Sequence, residues 1–341
     1  MVANEQQKDP NILMKLGLEL YLSGKIDEAL DNYGKAFDIL SKMPSKSVAA
    51  ETRETLLTQY SAFLFSKQKY NEITGVLTSK LANKYGGLNA SQHYLLGFSY
   101  YKLKKINEAV VELKLCVNKL EQNSSHALKE IYQGEPHYLL AVCYAVLNKV
   151  KEAEREFTKA IKENPDSYKF NYDYARFLAG QGNFVKALEL LNKIIPENPG
   201  NPAVWQVGAR IALNNHNLTG YALEWTQEAL KYCPDNPELI EYRADALLLN
   251  GHIEEAIECF ERLPESANRQ ASIIFCETIN GTFKNSYEGI DERAVSYELI
   301  RLYRRCLNVK KVSLINSFYK NIDCLQPVLP TAFTILKQAI N

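Results

Sequence analysis

The chain of 341 residues has little of what membrane, secreted and nucleic-acid-binding proteins usually carry. Its apolar runs all fall short of the roughly 20 residues that a membrane helix needs. Its polar start, MVANEQQKDPNIL, has no apolar run behind a basic end and does not resemble a secretory signal. The 40 basic and 40 acidic residues cancel, which leaves no overall positive charge for nucleic acid or anionic lipid. We therefore expect a cytoplasmic protein with no membrane or nucleic-acid partner.

Catalytic and metal-binding motifs are also missing. The seven cysteines are odd in number and lack CxxC spacing, so reduced, mostly buried thiols are a simpler interpretation than a disulfide framework. The five histidines form neither an HExxH motif nor a Cys/His pair at metal-ligand spacing. The sequence has no GKS or GKT phosphate loop and no GxSxG elbow. We therefore predict no enzymatic activity, no cofactor and no metal site.

What the sequence does contain is an internal repeat. Two neighbouring segments, when stacked, align Ala141 with Ala175, which is an offset of 34 residues. The next two segments place Ala209 and Ala244 at further offsets of 34 and 35 residues. A proline follows the second half of three of these units, where it would stop a helix: Pro165, Pro199 and Pro234.

This pattern resembles the tetratricopeptide repeat, a helix–turn–helix unit of 34 residues. Gly17 and Gly97 take the glycine position of the family pattern, Tyr100 and Tyr144 take the tyrosine, and Trp205 takes the aromatic position of its unit. The first alanine of the second helix recurs in six units: Ala29, Ala109, Ala153, Ala187, Ala222 and Ala256. Two histidines fall where the family has tryptophan, and we expect them to pack in the core: His93 and His137.

The resemblance implies an all-α, right-handed superhelical solenoid of antiparallel helix pairs. We expect a disordered N-terminus at 1–9 and a repeat array at 10–264. About seven repeats would start near residues 10, 54, 90, 134, 168, 202 and 237. A single pair cannot bury its second face, so successive pairs must stack.

After Pro264 the repeat fades, but apolar spacing still predicts four helices within 265–341. A stack of repeats ends in an exposed apolar face, so we expect this segment to cap the solenoid. The alternative is a docking module for a second partner. Its basic cluster is more simply explained as a solvated helix face than as a nucleic-acid site: Arg301, Arg304, Arg305, Lys310 and Lys311.

In the family, the first helix of each unit lines a concave groove. The resemblance places ten residues of this chain there: Tyr94, Phe98, Tyr101, Tyr138, Tyr172, Arg176, Gln206, Arg210, Glu241 and Asp245. Tyrosine and arginine often dominate binding energy, so we hypothesise that an extended or helical, partly acidic peptide lies along this tyrosine ladder. The alternative is that the tyrosines pack between neighbouring helices.

The sequence thus favours a non-catalytic protein–protein interaction scaffold or adaptor. One alternative is an accessory or substrate-recruiting subunit of an enzyme complex, such as a glycosyltransferase. A less favoured alternative is an RNA-binding helical-repeat protein, because the groove has mixed charge and the net charge is zero. Self-association is also possible if the poorly matching repeat at 54–85 exposes Tyr60, Phe63 and Phe65.

Overall fold

A computed structural model describes residues 9–44, 47–83, 87–122, 133–283, 289 and 291–338. Within these ranges the chain is helical and contains no β-strand. It divides into two compact units, residues 1–170 and 171–341, and each is described by itself.

The first unit is a series of antiparallel helix pairs: α1 (Pro10–Leu22) with α2 (Ile26–Lys42), α3 (Ala50–Ser66) with α4 (Tyr70–Leu77), then the short α5 (Lys80–Asn83), α6 (Ala90–Lys102) with α7 (Ile106–Gln122), and α8 (Glu135–Val146) with α9 (Val150–Glu163). α3 begins before the repeat start predicted at 54. Most of the segment predicted to be disordered, residues 1–9, lies outside the described residues. Asp9 is described, and its carboxylate caps α1 by accepting from the Asn11 amide at 2.8 Å.

The second unit continues the pattern: α10 (Tyr168–Gly180), which begins just before the unit boundary, α11 (Phe184–Ile194), α12 (Pro202–Leu213), α13 (Thr219–Tyr232), α14 (Pro237–Leu249), α15 (Ile253–Glu261), α16 (Ala267–Asn280), α17 (Glu292–Asn308), α18 (Val312–Lys320) and α19 (Pro330–Gln338). Proline is the first residue of α12 and α14, where its missing amide costs nothing, and asparagine caps both helices.

Small residues set the spacing of the two helices within a pair. The six repeat alanines of the second helices are all fully buried. On three first helices a glycine lies directly against a large side chain of the second helix. A Cβ would lie 2.7 Å from the Tyr33 ring at Gly17 and 2.1 Å from the Trp225 ring at Gly208. These rings fit because the glycines have no side chain, so the helix axes approach closely.

The turn inside each pair often uses a left-handed residue. The three glycines with this role have φ between 80° and 85°: Gly24, Gly182 and Gly251. In three other pairs the same turn is made by residues with a side chain, at φ between 55° and 63°: Gln68, Lys104 and Asn148. A left-handed residue other than glycine costs about 1–2 kcal/mol. Helix packing therefore imposes this turn even where the local sequence does not favour it.

His93 and His137 are buried, as expected, but each belongs to a polar pair that the sequence did not reveal. Nδ1 of His93 lies 2.7 Å from the Glu112 carboxylate, and Nδ1 of His137 lies 2.6 Å from that of Glu156. In both cases the glutamate is on the second helix of the same pair. In two repeats, therefore, a hydrogen bond between the two helices stands where the family pattern has an aromatic contact.

The C-terminal helices belong to the core of the second unit. One continuous cluster of buried apolar side chains runs from α12 to α19. Within it, the rings of Phe275 on α16 and Phe318 on α18 stack with centroids 4.5 Å apart. Residues 267–338 therefore do not form a separate core.

The surface expected at 54–85 for self-association is largely absent. Tyr60 and Phe63 are buried in the core of the first unit, and Phe63 stacks on Tyr21 with centroids 3.8 Å apart. Of the three aromatic residues named for that surface, Phe65 alone is half-exposed. The first helix pair supplies the missing cover for this divergent repeat.

The close approach at Gly208 gives a stability prediction. A Gly208→Ala substitution should lower the free energy of unfolding by about 1–3 kcal/mol, because the new methyl group overlaps the Trp225 ring. The matched control is Gly220→Ala on the partner helix, where a Cβ meets nothing within 4 Å and the change should be neutral or stabilise by up to about 1 kcal/mol. Thermal unfolding followed by circular dichroism measures both. Equal midpoints for the two variants would contradict this account of the helix spacing.

The buried His137–Glu156 pair predicts a pH dependence. Burial acts to raise the pKa of Glu156, but hydrogen bonds from His137 and Arg155 outweigh it and hold the pKa below its ordinary value of 4.5. This stabilisation is therefore present above pH 4.5 and is lost as the pH falls through the lower pKa of the folded state.

A Glu156→Gln variant should lose about 1–3 kcal/mol at neutral pH and show a smaller further loss on acidification than the wild type. Thermal unfolding across the acid range tests this, with Glu152→Gln on the same helix as control. An acid response identical in wild type and Glu156→Gln would rule out the pair as its source.

Candidate functional site

One cluster of aromatic side chains on the first unit contains three of the predicted groove residues. The Phe98 ring is at its centre, with centroids 5.0 Å from Phe65, 6.1 Å from Tyr70, 6.2 Å from Tyr94 and 6.5 Å from Tyr101. All five side chains are half-buried, so part of each ring is open to solvent. We call these five residues the aromatic face.

The local sequence explains how α6 presents this face. Asn89 and Gln92 form a capping box, with reciprocal hydrogen bonds of 2.9 and 3.0 Å, that starts the helix. From there, the three groove residues of α6 recur every three to four positions and share one side of the helix. Gly97 turns the opposite side toward Leu113 of α7. Lys102 adds a cation, with Nζ 5.3 Å from the Phe98 ring centroid.

Tyr138 does not extend this surface, which corrects the predicted ladder. Its side chain is only 6% exposed and stacks on Phe170, with centroids 4.7 Å apart and planes at 14°. The ammonium group of Lys169 also contacts this ring, with Nζ 4.4 Å from the Tyr138 ring centroid. The Tyr138 ring therefore packs against Phe170 of α10 instead of lying open to solvent.

Three more predicted groove residues lie in the second unit. On α10, Tyr172 is half-buried and Arg176 is exposed, with the guanidinium carbon 5.8 Å from the Tyr172 ring centroid. Arg176 also lies 3.9 Å from the Asp173 carboxylate. On α12, Gln206 donates to the Asn236 side chain at 3.3 Å and so supports the cap of α14. Gln206 thus has a structural role.

Both residues of the acidic end predicted at Glu241 and Asp245 have partners within the protein. Asp245 is 5% exposed and accepts a hydrogen bond of 2.5 Å from Arg305 of α17. Glu241 accepts from Asn268 at 2.8 Å. Burial and the neighbouring Asp245 charge raise the pKa of Glu241, with opposing contributions from Asn268 and from the arginines of α17. Asp245 is therefore buried and paired with a charge, whereas Glu241 is half-buried and hydrogen-bonded to a neutral amide.

Glu241, Asp245 and Arg305 also line a cleft of the second unit with a volume of about 800 Å³. Its walls come from α12, α14, α17 and α19. We call it the arginine cleft after four of its lining residues: Arg210, Arg301, Arg304 and Arg305. Three carboxylates also line it: Glu238, Glu241 and Asp245.

From sequence, three of these arginines were expected to lie on a solvated helix face. Arg301, Arg304 and Arg305 recur at the three-to-four-residue spacing of one helix side, which was a usable signal that they act together. Their partner on α14 lies about 60 residues earlier and could not be read from local spacing. Tyr242 and Tyr297, which also line the cleft, had no distinguishing pattern.

The titratable groups elsewhere show no sign of activation. Burial raises the pKa of the thiols of Cys116, Cys143 and Cys306 to about 12, which keeps them protonated at neutral pH. Among the described residues, no group of three or more His, Cys, Asp or Glu side chains is placed to hold a metal ion. No helix in the described ranges is long and apolar enough to cross a membrane.

Comparison with solved structures gives several helical repeat proteins. The C-terminal part of a TPR repeat-containing protein from Cytophaga hutchinsonii is similar with a TM-score of 0.53 and 17% identity, over 81% of this chain and 98% of that one. A tetratricopeptide repeat protein from Parabacteroides merdae has a TM-score of 0.46 and 15% identity, over 86% and 98% of the two chains. YrrB, described as a TPR protein with an unusual peptide-binding site, has a TM-score of 0.45 and 21% identity, over 58% and 91%.

Of these three, the Cytophaga structure alone has a TM-score above 0.5, and at this identity it supports the fold alone. Comparison with curated proteins finds no match. Models of the tetratricopeptide repeat match residues 10–42 and 147–211, which include α1 with α2 and the segment from α9 to α12. Together with the helix pairs and their small-residue contacts, these matches show that the chain contains tetratricopeptide repeats.

Proposed function

We propose that this protein is a non-catalytic scaffold that binds a partner peptide on the aromatic face. Tetratricopeptide repeats are protein-interaction modules and are generally non-catalytic, and the two family matches support the scaffold role. Binding at this particular face is our inference from the side chains that form it.

The single observation that carries the proposal is the exposure of five clustered rings. In two other repeats a large aromatic side chain packs inside the helix pair against a glycine, as Tyr33 does at Gly17 and Trp225 does at Gly208. On the aromatic face, by contrast, Phe98 lies among four further rings and all five side chains remain partly exposed. A surface of this kind gains free energy when a partner covers it.

The chemistry of the face favours a peptide with apolar anchor residues. The rings offer broad contact area with few rotatable bonds, and tyrosine hydroxyls at the rim can exchange hydrogen bonds with a peptide backbone. Lys102, held over the rings of Phe98 and Tyr101, places a positive charge beside them. A segment that combines apolar anchors with a nearby carboxylate would satisfy both features.

A role as an accessory subunit of an enzyme complex would use the same face and so adds no separate site. Cytoplasmic location and self-association stay predictions from the sequence. The sequence-based hypothesis of a continuous tyrosine ladder is replaced here by a site confined to the first unit, because Tyr138 is buried.

The proposal predicts that a Phe98→Ala/Tyr101→Ala double variant loses peptide binding. Peptides would first be selected from a random display library on the wild-type protein, and their affinities measured by fluorescence anisotropy. We expect affinity at this face to fall by at least about tenfold, because clustered aromatic anchors usually dominate an interface.

The matched control is Val111→Ala/Leu115→Ala on α7, the other helix of the same pair. These side chains are 55% and 40% exposed and do not belong to the aromatic face. Circular dichroism shows whether each variant is folded. Equal loss in both folded variants, unchanged affinity in the first, or a selection that yields no binders would each count against the proposal.

A further inference from the structure

We propose that the arginine cleft is a second peptide-binding site, one that selects a segment bearing an aspartate or glutamate next to an apolar residue. This site lies wholly in the second unit and goes beyond the function proposed for the aromatic face. It is also the opposite of what the sequence suggests for this end of the predicted groove, where Glu241 and Asp245 indicate an acidic surface.

The geometry of the cleft fits a peptide segment. Its volume of about 800 Å³ lies within the range of ligand-binding clefts, and four helices supply its walls. α17 contributes Tyr297, Ile300, Arg301 and Arg304, whose spacing of three to four residues turns them to the same side. The cleft therefore has a continuous wall that mixes apolar contacts with guanidinium groups.

The carboxylates of the cleft are already satisfied by the protein. Asp245 accepts from Arg305 at 2.5 Å, and Glu241 accepts from Asn268 at 2.8 Å. Glu238 accepts from the Tyr242 hydroxyl at 2.7 Å. Each carboxylate thus has a hydrogen-bond donor within the protein, but Asp245 alone has a charged one, and Glu238 and Glu241 keep their negative charge.

Two arginines are not satisfied in this way. Arg301 is held by Glu298 at 2.8 Å, but Arg210 of α12 and Arg304 of α17 are exposed and form no ion pair with any residue in the described ranges. A carboxylate that enters the cleft can accept paired hydrogen bonds from a guanidinium group, which is the strongest geometry for such a contact. With four guanidinium groups against three carboxylates in its lining, the cleft keeps an excess of positive charge, and this favours an acidic partner.

Apolar side chains beside these arginines account for the second part of the specificity. Tyr297 is 69% exposed and Ile335 of α19 is 40% exposed, although both line the cleft. An apolar residue of the peptide would cover them while its acidic neighbour reaches Arg210 or Arg304. A simple inorganic anion would leave these two side chains in water, so a peptide explains the composition of the cleft better.

The test uses the full chain carrying Phe98→Ala/Tyr101→Ala, so that the aromatic face does not contribute. Peptides are selected on this variant from a random display library. We expect aspartate and glutamate to be enriched among the selected peptides. We also expect their affinity to fall by at least about tenfold when Arg210→Glu/Arg304→Glu is added, because each guanidinium contributes a charge-assisted hydrogen bond.

The control variant is Arg293→Glu/Lys320→Glu, which changes the net charge equally at exposed positions outside the cleft. It should retain binding. No acidic enrichment, or equal loss in the control, would overturn the proposal. Binding by phosphoserine versions of the peptides but not by the aspartate and glutamate versions would also overturn it, in favour of a phosphorylated partner. None of these outcomes bears on the aromatic face, which is tested separately.

Discussion

The structure depends on the close approach of two antiparallel helices at a residue with little or no side chain. At Gly17, Gly97 and Gly208, a large side chain of the second helix occupies the space that a Cβ would need. The alanines of the second helices are fully buried for the same reason. Because each pair is tightly closed on itself, its remaining apolar side must be covered by the next pair, and a stack of pairs follows.

This constraint also determines which side chains are available for binding. A ring that packs against a glycine inside a pair is buried and cannot contact a partner. Trp225 is an example: it packs against Gly208, and its indole N–H donates to the Trp205 carbonyl at 2.8 Å. On α6 the small residue faces Leu113 instead, so the aromatic side chains of that helix are left for the opposite side. The aromatic face is therefore a consequence of how this pair is closed.

The sequence predicted the helix pairs and their small contact positions well, because both depend on spacing within about 34 residues. It predicted the site less well. Tyr138 and Tyr94 occupy equivalent positions in the repeat, yet Tyr138 is buried against Phe170 whereas Tyr94 is half-buried beside Phe98. The difference comes from the next repeat along the chain, and the residue pattern within one repeat carries no information about it. The polar pairs of His93 and His137 were missed for a similar reason, since spacing shows where a residue packs but not what it meets.

The charge of a repeat surface is likewise a tertiary property. Read along α14 alone, Glu241 and Asp245 make an acidic patch. Once α17 brings Arg305 to Asp245, that carboxylate is buried and neutralised, while Arg304 on the same helix stays exposed beside Arg210. The C-terminal helix α17 thereby adds three arginines to a cleft whose α14 side carries Glu238, Glu241 and Asp245. In the second unit, the contact between α14 and α17 both buries apolar side chains and determines which charges line the cleft. A substitution at this contact will therefore alter both.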